Sequence, residues 1–396
     1  MQHDYSPVQS STRVFEIDAV RGFALFGILM MNIMSFAGPH MEDQLTMNTS
    51  DIYSGTNSIV IFLINTLVTS NFYTMFSFLF GLGFYIFLSR AEKKSGSTYL
   101  LFIRRMIILL VIGIIHAVFI WYGDILTVYA ITGLLLIFFY RLPPKFNLAI
   151  SFVILLLGTV FVLLLTLLMF SIRDVDMGAL PASGYGVDMM AAATGSYGEI
   201  ISLNISIFGL MMTNNIVMVP LVLAIFLIGL YAGQKGYFER LSSIRGMLWK
   251  VVVLGIGIGL PIKLATGYGM TYGMDDPVWS IATMLAYTAG GPLMSLGYIA
   301  LFLLILGRFE GLTRLLQPVG QMALTNYIMQ SVLMIVLFFG FDLFNTIGAV
   351  WFPLIVLATF MLQIVLSHIW MKSFSYGPLE WIWRILTYGR ILPIKK

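Results

Sequence analysis

The sequence predicts an all-α fold: a polytopic transmembrane helical bundle of about ten spans with both termini cytoplasmic. Three observations predict it. Apolar residues make up 59% of the 396-residue chain and charged residues only 10%, against about 25% charged in a soluble domain. Such a chain lacks the polar side chains to cover a water-facing surface. Mean hydropathy is +0.94, and long apolar runs recur from end to end, which excludes one anchor on a soluble domain. The basic residues, finally, fall almost entirely on one side of the predicted membrane.

The elements follow from the need for ~20 mainly apolar residues per span. The run after Arg21 gives a first span over 17–38. No small-residue cleavage site follows a short apolar stretch, so it is read as a retained helix and not a signal peptide. Further spans are expected at 68–89, 104–122, 125–141, 147–170, 213–233, 248–266, 279–306, 320–340 and 350–371. Residues 56–67 and 198–212 precede spans and are read as interfacial or re-entrant pieces. Residues 376–390 form an amphipathic segment along the membrane surface, with Trp381 and Trp383 at the headgroup level.

Orientation follows from Lys and Arg. Arg13 and Arg21 lie at the first span. Arg90, Lys93, Lys94, Arg104 and Arg105 lie between the second and third. Arg141, Lys145, Lys235, Arg240, Arg245, Lys250, Arg308, Arg314, Lys372, Arg384, Arg390, Lys395 and Lys396 follow even-numbered spans. Ten spans place all of these on the cytoplasmic side and leave only Arg173 and Lys263, of 22 basic residues, on the other. Glu42, Asp43, Asp51, Asp174, Asp176, Asp188, Glu199, Asp275 and Asp276 fall outside. The loop 171–199 divides a five-helix N-terminal half (1–170) from a C-terminal half (200–396). Two five-span halves would have opposite topology, as in inverted repeats, although no sequence match joins them.

The absence of cysteine excludes disulfides, thiolate metal sites and a cysteine nucleophile. The net charge of +4 gives no reason to expect a nucleic-acid partner. No metal site is expected. The 25 methionines read as packing residues, because none clusters with histidine in the manner of a copper site.

Ionisable groups within apolar spans are costly, so the few present carry the functional reading. Asp18 and Arg21 are three apart and share a helix face, with Gly22 beside them to admit a neighbouring helix. Asn32 lies on the same stripe, roughly 16 Å further along. These residues describe either an anion site at the cytoplasmic end or a structural ion pair. His116 lies deep in the third span, with Arg105 on its face roughly 16 Å toward the cytoplasmic end. Arg104 precedes it, Gly113 opens space one turn below, and Asp124 follows at the outer turn. A carboxylate beside a histidine fixes its tautomer and supports a general base. The alternative is a histidine that hydrogen-bonds across a helix interface. Asn326 and Gln330, four apart, line a cavity or bridge helices. His368 reads as interfacial. Gly229/Gly233 and Gly255/Gly259 have the spacing of close helix packing. Phe80-Gly81-Leu82-Gly83-Phe84 lacks the strand-to-helix context of a phosphate loop.

Together these stretches carry a resemblance. Ile17-Asp18-Ala19-Val20-Arg21-Gly22-Phe23-Ala24-Leu25-Phe26-Gly27-Ile28-Leu29 with Asn32 resembles the opening of the YeiB/DUF418 family of bacterial membrane proteins. Matching stretches continue through Phe76-Ser77-Phe78-Leu79-Phe80-Gly81-Leu82-Gly83, Arg104-Arg105 to His116 to Gly123-Asp124-Ile125-Leu126, Gly320 to Tyr327 with Gln330-Ser331, and Gly377-Pro378-Leu379-Glu380-Trp381 with Arg384. The family looks like a branch of the transmembrane acyltransferases, beside the lysosomal heparan-α-glucosaminide acetyltransferase and the acyltransferase-3 O-acetylases. Asp18, Arg21 and Gly22 match the Asp-x-x-Arg-Gly opening of the glucosaminide enzymes, and His116 is the best match for their membrane-embedded histidine. By analogy the resemblance implies a bacterial cytoplasmic-membrane acyltransferase. Acyl-CoA, acetyl-CoA above all, would be the donor. Asp18, Arg21, Arg104 and Arg105 would hold its phosphates. His116, Asp124 and Asn32 would perform the chemistry, and Asn326 and Gln330 would face the substrate. The expected partners are the lipid bilayer and a small-molecule or glycan/lipid acceptor, and a homodimer is compatible with the reading. Two other classes stay open. One is a secondary transporter or flippase of a small solute or lipid-linked group, since no Walker motif is present. The other is a structural or sensory protein. The transferase reading requires a water-accessible channel between His116 and the inner basic residues.

Overall fold

The computed structural model describes residues 15–40, 42–43, 50–93, 98–172, 188–273 and 277–396. Its architecture is all-α. In chain order the helices are α1 (Phe15–Ala37), α2 (Asn57–Leu67), α3 (Asn71–Glu92), α4 (Thr98–Phe119), α5 (Leu126–Leu136), α6 (Pro144–Ile172), α7 (Met189–Thr194) and α8 (Tyr197–Gln234). They continue with α9 (Arg245–Tyr272), α10 (Pro277–Leu285), α11 (Gly291–Leu306), α12 (Glu310–Gln321), α13 (Ala323–Phe338), α14 (Phe352–Ser373) and α15 (Pro378–Tyr388).

Among the described residues, eight stretches are long and apolar enough to cross a membrane, and α12 with α13, bent by 77°, adds a ninth if the pair is counted as one span. Three sequence expectations change. Residues 56–67 do not stand apart from the second span: α2 and α3 form one stretch, Asn57–Glu92, broken where Ser70 takes φ 64°. Residues 198–212 are the continuous first half of α8. The span expected at 125–141 is only the short apolar helix Leu126–Phe139. It lies antiparallel to α4, with Thr127 beside Gly113, Gly133 beside Met106 and Tyr140 beside Tyr99. It is short because residues 120–125 leave the helix and return beside Gly113 before α5 begins.

The start of α1 crosses α12, the indole N–H of Trp383 in α15 donates to the Arg105 carbonyl of α4 at 2.9 Å, and Tyr140 donates to Glu92 at 2.9 Å. Arg21 of α1 and Arg384 of α15 both lie within electrostatic reach of Arg105 of α4, so the first and last helices share one end of the bundle with basic residues. At the other end Glu42 accepts from the Met189 N–H at 3.0 Å. Arg13, Lys94, Arg173, Asp174, Asp176, Asp275 and Asp276 lie outside the described residues. Lys263 is not on the outer face. It is fully buried in α9, where its ammonium donates to the Thr69 carbonyl at 2.8 Å and the Ser70 hydroxyl at 3.0 Å. A break between α2 and α3 frees carbonyls in a region without water, and the lysine satisfies one of them.

Glycine sets the closest crossings. A Cβ on Gly22 would meet the Leu316 carbonyl oxygen at 2.5 Å, and one on Gly320 would collide with the Asp18 carbonyl, so α1 and α12 touch backbone to backbone. Gly81 and Gly229 join α3 to α8 in the same way, and Gly255 and Gly259 seat α9 on α11. Between helices in lipid, where tails are as apolar as leucine, such contact supplies van der Waals energy that larger residues would forfeit. By contrast α6 turns Phe152, Leu156, Leu157, Phe161 and Leu164 outward, a surface that matches hydrocarbon.

Replacing Gly22 by valine is expected to cost about 1–3 kcal/mol through overpacking against a backbone that cannot yield. Unfolding of the purified protein in mixed micelles measures it, and an unchanged midpoint would contradict the crossing. The cysteine-free chain also allows single-cysteine labelling. Cysteines at Arg308 and Lys395 should react with an impermeant maleimide from one face of the membrane, and one at Ser58 from the other.

Candidate functional site

The site forms where α4 stops. After Phe119 the chain unwinds, and the freed carbonyls need donors. Helix α8 supplies these donors. Asn204 donates to the carbonyls of Val118 and Ile120 at 3.2 and 3.4 Å, and the Tyr197 hydroxyl donates to that of Phe119. From α13, Tyr327 donates to the Gly123 carbonyl at 3.3 Å. With its carbonyls held, segment 120–125 folds back toward α4. Gly113 makes room, since a Cβ there would lie 2.8–2.9 Å from Thr127 and the Asp124 carboxylate.

This return brings Asp124 to His116. The carboxylate Oδ1 lies 3.0 Å from His116 Nδ1, and Oδ2 accepts from the Thr127 N–H at 2.7 Å and the Thr127 hydroxyl at 2.5 Å. Asp124 thus caps the first turn of α5 while it orients the ring. On the far side of the ring, Nε2 lies 3.0 Å from the Ser331 hydroxyl of α13. A carboxylate that accepts at every contact fixes Nδ1 as the donor, and in the neutral ring this leaves Nε2 as the acceptor. Tyr327 lies over the imidazole with ring centroids 5.1 Å apart, and Trp121 approaches it edge-on at 6.4 Å.

The side chains of His116 and Asp124 have no exposed surface at all. The open channel expected from the sequence does not reach the ring in this conformation. Packing of α13 over α4 and the returning segment closes it. The ring is nonetheless not packed against aliphatic groups, because both nitrogens have polar partners.

The remaining candidates fall into three places. At the inner end Asp18 and Arg21 pair at 3.1 Å, and Arg105 stacks on Trp383 with its guanidinium 3.6 Å from the ring centroid. Arg21, Arg384, Tyr388 and Glu380 lie within electrostatic reach of Arg105, so residues from α1, α4 and α15 form one cationic cluster. Arg104 is exposed and turns to Gly389 instead. Asn326 and Gln330 face α1 and α14. Asn326 donates to the Val319 carbonyl and the Ser367 hydroxyl, each at 3.0 Å. Gln330 donates to the Leu25 carbonyl at 3.2 Å and to Gln363 at 2.9 Å. Their amides are committed to interhelical bonds. Asn32 is half-buried in the outer part of α1, and no hydrogen bond joins it to His116. His368 contacts the carbonyls of Ile364 and Arg314 at 2.8 and 3.3 Å.

Sequence reading selected one polar stripe of α13 and missed the other. Asn326 and Gln330 form the first. Tyr327 and Ser331, also four apart, form the second and face the imidazole. The offset of one residue turns a side chain by about 100° on a helix, and only knowledge of the neighbours tells the two stripes apart. Thr127 was missed as well, although a threonine three residues after an aspartate at a helix start is a capping pattern.

The inner end depends on Glu380. Its carboxylate accepts from the N–H groups of Leu324 and Thr325 at 2.6 and 3.0 Å and from the Thr325 hydroxyl at 2.6 Å, satisfying the start of α13 after the bend. Burial raises its pKa above the ordinary glutamate value, against the opposing pull of these donors. A carboxyl whose pKa is raised on folding contributes stability that is greatest below the ordinary value of about 4.3 and is lost as pH rises toward the raised one. Thermal stability is therefore expected to fall as pH increases through this window, and Glu380→Gln should flatten the profile. A variant profile parallel to that of the wild type would refute the assignment.

No solved structure matches the chain. Its sequence is 31% identical to an uncharacterized 39.9 kDa protein in the amylase 3′ region of Bacillus acidopullulyticus, over 98% of this chain and 97% of that one. It is 29% identical to YxaH of Bacillus subtilis (strain 168), over 98% of each chain. It is 26% identical to YeiB of Escherichia coli (strain K12), over 94% of this chain and 95% of the other. The model of a protein family of unknown function, DUF418, matches residues 232–390, a segment that runs from the end of α8 through α15. With one relative above 30% identity along nearly its full length, and YeiB and YxaH similar from end to end, this helical membrane chain belongs to the YeiB/DUF418 family.

Proposed function

We propose that this protein is an acyltransferase of the bacterial cytoplasmic membrane, moving an acyl group, acetyl above all, from cytoplasmic acyl-CoA to a small-molecule, glycan or lipid acceptor. The observation that carries the reading is the buried His116–Asp124 pair, with a cationic cluster on the same helix below it. Arg105 lies eleven residues from His116, which is roughly 16 Å along α4, a distance that an extended pantetheine arm covers.

In this reading Arg21 and Arg105, with Arg104 at the rim, hold the phosphates of the donor, and Asp18 orients Arg21. Guanidinium groups suit phosphate because their fork of donors binds two oxygens at once. His116 removes the proton of the acceptor hydroxyl or amine, and Asp124 stabilises the resulting imidazolium. Asn32 donates to the developing oxyanion. Asn326 and Gln330 serve the substrate by fixing α13 against α1 and α14. Because the ring is enclosed, transfer needs a state in which α13 parts from α4. At the imidazole that motion breaks the contacts to Ser331 and to the Tyr327 ring.

Acetyl-CoA turnover by purified protein tests the reading. His116→Ala is expected to lower kcat by at least about 100-fold, the usual contribution of a general base. Arg105→Ala should raise KM for acetyl-CoA about tenfold through loss of a charge-assisted contact. Unchanged thioester consumption in both variants would remove the proposed roles.

One observation favours the alternative of a secondary transporter or flippase. Lys263 is buried beside the α2–α3 break, and a π-helical turn (Ala286–Gly290) interrupts the way into α11. Discontinuous helices around an intramembrane charge are where transporters bind their cargo. Gradient-driven solute flux in proteoliposomes, abolished by Lys263→Met and indifferent to acetyl-CoA, would favour this function over transfer.

A further inference from the structure

We infer that Ser331 is the nucleophile that first receives the acyl group, so that transfer proceeds through an acyl-serine within the membrane. The inference rests on the acyltransferase reading and specifies its chemistry. It makes the Ser331–His116–Asp124 line a catalytic triad, where the reading by itself requires only a base.

The geometry is that of an activated serine. Asp124 contacts Nδ1 at 3.0 Å and Ser331 contacts Nε2 at 3.0 Å, on opposite sides of one imidazole. The orienting acid is itself fixed by two donors of Thr127. This is the order of groups by which a histidine takes the proton of a serine hydroxyl. The three residues come from α4, the unwound segment and α13, so nothing in local sequence requires them to meet.

The conformation of Ser331 argues further. A hydroxyl inside a helix ordinarily folds back onto the carbonyl four residues earlier. In this chain Thr74, Ser77, Thr159, Thr166, Ser202 and Ser206 all do so, at 2.5–3.0 Å. Ser331, like Ser151 and Ser367, instead reaches across to a neighbouring helix, and its partner is the imidazole; the residue is 2% exposed. An interhelical bond alone would not need a carboxylate on the other nitrogen, nor a second pair of bonds to hold that carboxylate.

The step balances without a further reagent. The Ser331 hydroxyl gives its proton to His116 Nε2 as Oγ attacks the thioester carbonyl. The C–Oγ bond forms, the C–S bond breaks, and the departing thiolate takes the proton from Nε2 and leaves as the thiol. The acceptor then gives its proton to Nε2 and attacks the ester carbonyl. The C–Oγ bond breaks and the proton returns to Ser331. One imidazole serves both halves.

The test needs no knowledge of the acceptor. Purified full-length protein is mixed with acetyl-CoA and isotopically labelled CoA, and label exchange into acetyl-CoA is followed, with peptide mapping of the protein by mass spectrometry. The proposal expects exchange in the absence of any acceptor, an acetyl group on Ser331, and loss of exchange by at least 100-fold in Ser331→Ala. Ser331→Cys should regain an acetyl-protein, now a hydroxylamine-sensitive thioester. Acetyl found on His116, or thioester turnover in folded Ser331→Ala within twofold of wild type, would overturn the nucleophile and leave the acyltransferase reading standing. Wild-type protein that neither exchanges nor consumes acetyl-CoA would overturn both. Mapping of the wild type decides the matter even if a variant fails to fold.

Discussion

The breaks in the helices of this protein answer to the absence of water around them. In hydrocarbon a backbone carbonyl or N–H without a partner costs several kcal/mol, so a helix leaves its regular path only where another element supplies the missing bonds. Three breaks show this. The end of α4 and the segment after it are held by Asn204, Tyr197 and Tyr327. The α2–α3 break is held by Lys263, and the start of α13 by Glu380. Each interruption thereby ties together helices that are distant in sequence.

The candidate site is a consequence of the first interruption. A continuous helix through Asp124 would set its carboxylate eight residues beyond His116, about 12 Å along the axis. Unwinding brings the same carboxylate to 3.0 Å from the ring. The return also starts α5 early, and Asp124 accepts the Thr127 N–H in the first turn of that helix. Local structure and chemistry are therefore coupled: the residue that orients the imidazole also caps the helix that positions it.

Glycine and arginine divide the remaining work. Gly22 and Gly320 let α1 and α12 touch, and this contact places Asp18 and Arg21 at the inner end. There Arg105 stacks on Trp383 of α15, an amphipathic helix that lies across the base of the bundle. A guanidinium on an aromatic face keeps its edges free for anions. The same helix carries Glu380, so one element joins the cationic cluster to the support of α13. Since α13 presents Ser331 to the imidazole, the inner end and the buried site share a mechanical connection.

Composition and the spacing of apolar runs determined the helical membrane class and the approximate positions of most spans, because hydrophobic length is a one-dimensional property. They also marked Arg21, Arg105, His116 and Asp124, since few ionisable residues occur within apolar runs. Sequence misplaced Lys263, for a single lysine near a predicted boundary does not reveal whether it faces water or a neighbouring helix. It treated 56–67 and 198–212 as separate pieces, because apolar length alone does not distinguish a surface segment from the tilted start of a span. Only the tertiary structure could decide that Ser331, and neither Asn326 nor Gln330, meets the imidazole. That choice turns on the rotation of α13 about its own axis, which is fixed by packing against α1, α4 and α14 and leaves no trace in the order of the residues.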